Sequence, residues 1–152
     1  MANTQAMATS FKGELLNAYH NFSATNPART INTADTFKAA LYLASATYNA
    51  STTAYSATGE VSGTGYTAGG VSVGTWNAPT TGGTTGYTTP TASISYTTVT
   101  LATAFDAVLI YNNSQGNRAV SVHTFGSQTV TAGTFTLTMP TNDSTNALIR
   151  LA

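Results

Sequence analysis

From Thr9 onward the apolar residues fall at a helical spacing. Phe11, Leu15, Leu16 and Tyr19 form a stripe, Phe22 lies just beyond it, and Lys12 and Glu14 fall off it. Thr9 or Ser10 is placed to cap the free N–H groups of a first turn. Asn26-Pro27 is placed to stop any continuation, because proline disfavours helical backbone in the residue before it. The pattern predicts one N-terminal helix over 9–22, short enough to depend on docking its stripe. From Thr36 the period drops to two. Phe37, Ala39, Leu41 and Leu43 share one face and Lys38, Ala40, Tyr42 and Ala44 the other, which predicts a strand buried on its first face. Residues 46–60, with Tyr48 and Tyr55, read as a loop or a short helical turn.

Over 61–91 the pattern thins into a Gly/Thr-rich loop region. Gly63 to Gly70 leads into a short strand near Val71–Trp76, and 78–87 reads as an exposed loop punctuated by Pro79, Gly82, Gly83 and Gly86. Over 92–152 alternation returns as a β-hairpin core. Ile94 and Tyr96 mark one strand, and Val99 and Leu101 its extension or the next. Ala107–Tyr111 is a dense apolar run, followed by a turn at 112–117. Ala119–Phe125 runs back, 130–134 turns again into Phe135, Leu137 and Met139, which alternate with threonines up to Pro140, and Ala147–Leu151 is a final apolar run. Several short strands with turn signals between them predict a single mainly β domain over 1–152. Its expected form is an antiparallel β-sandwich or barrel-like fold with one short N-terminal α-helix.

Composition changes the functional picture. Charged residues make up 7% of the chain and the formal net charge is zero, against about 25% charged residues in an ordinary soluble domain. About one residue in five is threonine, several times ordinary usage. Threonine suits strands and hydrates an outer face without charge. Outer rows such as Thr134, Thr136 and Thr138 then lack the charges that normally keep sheet edges apart, so pairing with a neighbouring copy is a natural use for them. Lys12, Arg29, Lys38, Arg118 and Arg150 are scattered, which argues against nucleic-acid binding, where clustered cations displace counterions. No apolar run approaches the length of a membrane span. There is no cysteine, hence no disulfide and no thiolate metal site.

Little here points to catalysis. His20 and His123 are the only imidazoles, without metal-ligand spacing. His20 reads as the polar end of the helix and His123 as a strand residue on a semi-polar face. Glu14, Asp35, Glu60, Asp106 and Asp143 lie far apart in sequence, so no local pair of carboxylates suggests glycoside hydrolysis. The glycines of 63–70 lack the Gly-Lys-Ser/Thr that a phosphate loop requires and read as turns or bulges. Neither catalytic residues, metal ligands nor cofactor sites are expected. The residues singled out for contact are Phe11, Leu15 and Tyr19 on the helix stripe, with Tyr66, Trp76 and Tyr87. The last three also offer rings that stack on sugar faces, set against the plainer reading of Trp76 as an anchor for the Gly-rich segment.

Nearly the whole chain, apart from 78–91, resembles small virion proteins of tailed bacteriophages. The segments carrying the likeness are Leu109-Ile110-Tyr111-Asn112, Ala119 to Gly126, Gly133 to Leu137 and Ile149-Arg150-Leu151-Ala152. Phe11 to Leu16, Phe37 to Tyr42 and Gly65 to Gly70 add to it. The resemblance implies a noncatalytic virion protein, of the kind found as capsid decoration (cement) proteins or as tail, neck or fibre-associated proteins. Its implied partners are copies of itself and other virion proteins such as the major capsid protein, with a glycan as the alternative ligand.

Overall fold

The computed structural model describes residues 3–16, 19–22 and 33–152. The elements run β1 (Ala6–Met7), α1 (Thr9–Leu16), β2 (Phe37–Leu43), β3 (Val71–Ser72), β4 (Thr80–Gly82), β5 (Thr85–Thr88), β6 (Ile94–Asn112), β7 (Arg118–Leu137) and β8 (Ile149–Leu151). The fold is mainly β, every strand pair is antiparallel, and the sheets do not close into a barrel. One sheet has the order β1-β7-β6-β2-β3, the other β4-β5-β8.

The helix is shorter than its apolar stripe. It ends at Leu16 rather than running to 22: Tyr19 N donates back to Glu14 O at 3.0 Å, which closes the helix, and the backbone beyond finds other partners. Asn21 N donates to Asp35 Oδ2 at 2.9 Å and Asp35 N to Asn21 O at 2.9 Å. Those tertiary bonds outcompete further helical ones for a segment this short. Ser10 does not act as the expected cap. Both residues already lie within α1, and Ser10 Oγ is buried with no partner. The stop expected at Asn26-Pro27 lies outside the described residues.

β2 lies inside the sheet between β6 and β3 and is covered on both sides: Ala40 and Tyr42 of its second face are as buried as Ala39 and Leu41 of its first. The short strands expected between 94 and 137 merge into two long ones, β6 and β7, joined by the turn at 113–117. This ribbon does not run straight. Tyr96 is paired with Phe135, yet the Phe135 ring lies 5.0 Å from Phe105 and 5.2 Å from Phe125. A straight strand would set Tyr96 and Phe105 about 30 Å apart. The ribbon therefore bends back on itself. Its corner lies where the register shifts between Tyr96 and Phe105, and where Thr98 and Ala132 take φ values of 54° and 45°. The outer limb folds over the main sheet, and Tyr96 donates to Ala39 O of β2 at 2.7 Å. The result is a two-layered, sandwich-like core built largely from one folded ribbon.

The Gly-rich segment closes the second layer. Gly70, with φ 71°, lies so close to β2 that a Cβ there would meet Ala39 O at 1.7 Å, an approach open only to glycine. Part of the expected loop is ordered sheet. Residues 80–88 form the β4–β5 hairpin, and β8 adds to it through Gly86, Tyr87 and Thr88. The reading of 78–87 as an exposed loop is thus corrected: most of it is sheet, anchored by the C-terminal strand. The strand expected over Val71–Trp76 shrinks to Val71–Ser72, with Trp76 held by an isolated bridge to Pro90.

Candidate interaction surfaces

The structure brings three of the six singled-out contact residues together. Phe11 and Leu15 of α1 and Tyr87 of β5 line a groove of about 510 Å³ between the helix segment and the small sheet. His20, Phe22, Ile149 and Leu151 complete its apolar walls. Phe11 itself is fully buried, so it serves as floor rather than as surface; its stripe faces the core because it docks against Phe22 and His20. Tyr19 is exposed and lies under the Arg118 guanidinium, 4.4 Å from its ring centre.

Trp76 and Tyr66 lie elsewhere. The Trp76 ring is buried edge-on between Phe22 and Phe37, at 4.8 and 5.3 Å. A ring enclosed in this way presents no face to a sugar, so an aromatic platform at Trp76 is corrected to a core anchor. Half-buried Tyr66 stacks on Tyr96 and donates to Glu60 Oε1 at 2.6 Å.

Each of the five carboxylates is tied into the fold. Glu14 accepts from Arg118 Nη1 at 2.7 Å and lies 2.7 Å from His20 Nε2. Asn112 Oδ1 accepts from the Ser114 and Gln115 amides, so its Nδ2 donates to Asp35 Oδ2 at 2.8 Å and to His20 Nδ1 at 3.0 Å. His20 therefore carries its proton on Nε2 and gives it to Glu14. Glu60 accepts from Tyr55, Tyr66 and the Gly69 amide. Burial first, and the Glu60 bond second, push the Tyr55 and Tyr66 hydroxyls above their ordinary range. Asp106 accepts from Asn3, and Asp143 from the amides of Thr145 and Asn146 and the Asn146 side chain. Among the described residues no group of three or more His, Asp or Glu is placed to hold a metal. His123, beside Ser121 Oγ at 2.8 Å, is pushed down to about 4 by burial.

The sequence reading missed the chain from Glu14 through His20 and Asn112 to Asp35, because partners bonded within it are up to 92 residues apart. Glu60 had a local signal that was readable, with Tyr55 and Tyr66 flanking it at similar spacing.

A long open surface is the outer edge of β7. It is covered only over its first residues: β1 pairs at Ser121 and Val122, Ala8 N donates to Val120 O, Ala119 N donates to Thr53 O, and Ala54 bridges to Arg118. Over 123–137 no backbone hydrogen bond from the described residues reaches that side. From Ala119 to Asn142 the chain has no charged residue. Along the edge Phe125, Val130, Phe135 and Leu137 are only half-buried against the core. Natural edges of this length usually carry Lys, Pro or a cover. In comparisons with protein-family models, curated proteins and solved structures, the chain has no match.

Proposed function

We propose that the chain is a noncatalytic structural protein of a bacteriophage particle, a decoration protein that assembles with copies of itself and stabilises the shell. The observation carrying this reading is the β7 edge: a long uncharged strand side with unmatched backbone groups and half-covered aromatic rings. Such a surface serves an assembly, which needs area and hydrogen-bonding complementarity at its joints rather than titratable groups. The use of every carboxylate as an internal tie supports the same reading. So does the likeness of the chain to small phage virion proteins.

The test is heat release of packaged DNA from particles made with and without the chain. Particles lacking it are expected to open at a lower temperature, and added purified protein to restore them. Particles that are equally heat-stable without it would remove the decoration role. Restoration of infectivity alone, with no change in heat stability, would move the chain to the tail or neck.

A further inference from the structure

We infer that the open edge of β7 is a two-fold interface with a second copy of this chain, centred on Val130. The inference rests on the assembly reading above and names the surface that performs it.

The bend in the ribbon makes the edge self-complementary. Phe125 on one limb of β7 and Phe135 on the other bring their rings to 5.2 Å, so the edge traces a U whose corner includes Val130. A two-fold axis along the middle of that U lays the inner limb of one copy against the outer limb of the other. The strands then run antiparallel throughout, as an isologous interface requires. The half-buried rings fit this axis. Phe125 and Phe135 lie five residues to either side of Val130, and within one copy their rings are 5.2 Å apart. In the pair Phe125 faces Phe135 of the other copy, Val130 meets its counterpart, and Thr129 meets Thr131. Four phenylalanines then close over one another, and threonines face threonines, a favourable cross-strand match.

Charge and area select the same occupant. A two-fold interface sets like residues close together, which is costly on a charged patch; this edge has no charged residue to repel. The same neutrality leaves nothing to attract a nucleic acid or a strongly charged protein. The edge over 123–137 is roughly 50 Å along the strand and about 10 Å high, hence about 500 Å² per copy and about 1,000 Å² per pair. That is where specific interfaces begin.

The test is sedimentation of the intact purified chain at about 100 μM, a concentration at which an interface of this size is occupied. The wild type is expected at a multiple of 15.6 kDa. The double variant Thr129→Lys/Thr131→Lys, altered at two exposed positions, is expected to have half that mass or less, with an unchanged strand spectrum and a melting point that, unlike the wild type's, does not rise with concentration. Thr80→Lys/Thr81→Lys on β4 is expected to keep the wild-type mass. Because the chain has no cysteine, Thr129→Cys and Thr131→Cys variants can be mixed and mildly oxidised. The expected product is a disulfide-linked pair containing one of each. A wild type that sediments as a single chain, a lysine variant that keeps the wild-type mass, or no mixed disulfide would overturn the interface. An assembled wild type that ignores the lysines overturns the interface alone. A chain that pairs as described but leaves particle heat stability unchanged overturns the decoration role alone.

Discussion

Glu60 accepts hydrogen bonds from two tyrosines and from the Gly69 amide, and thereby ties the Gly-rich segment to the turns before it. In a chain with so few charges, a carboxylate used in this way is structural material. Glu60→Gln keeps the shape and removes the charge that strengthens these bonds, and is expected to cost about 2 kcal/mol in chemical denaturation. His123 makes a second prediction. Its folded value is depressed to about 4, from an ordinary value near 6.5. Between these two values the unfolded chain binds a proton that the folded chain does not. The stability His123 contributes is therefore present above about pH 6.5 and lost as the pH falls through about 4. Denaturation midpoints measured across this window should fall for the wild type and fall less for His123→Gln. Little of this scale was legible beforehand. A sequence shows that Glu60 has tyrosines near it, but burial of His123 depends on strands brought together by the ribbon.

Helix and ribbon show why element types were easier to read than their extents. The stripe of Phe11 and Leu15 identified α1, but not its end, where Tyr19 N turns back to Glu14 O and the chain beyond is held by bonds between Asn21 and Asp35. Alternation identified strands within 94–137, and broke wherever the register shifts, so two long strands read as several short ones. The breaks were the corner. At Thr98 and Ala132 the backbone is left-handed without glycine; on β7 the turn read over 130–134 marks the corner, whereas nothing in the residue types marks it at Thr98. The β4–β5 hairpin was unreadable because β8, its anchor, is about sixty residues away in the chain. Trp76 belongs to this scale as well, pinning the segment after β3 to Phe22 and Phe37. Trp76→Ala is expected to cost about 3–5 kcal/mol, seen as a lower denaturant midpoint. Glycan arrays should show no binding by the wild type that this variant removes; ring-dependent binding would contradict the anchor.

At the scale of the whole molecule the governing fact is neutrality. From Val61 to Phe105 and from Ala119 to Asn142 no residue is charged, and both runs include the corner of the ribbon. Colloidal repulsion is absent, so such a surface stays soluble by being hydrated through hydroxyl groups or covered by other subunits. The mainly β, antiparallel character and the uncharged outer rows were visible from period and composition alone. The place where those rows meet an open edge required the fold. The most direct measurement is the number of copies per purified phage particle, by quantitative mass spectrometry against the major capsid protein. A decoration protein is expected in hundreds of copies, in fixed proportion to the shell subunit. Particles that contain none, or only a handful at one vertex, would contradict that role.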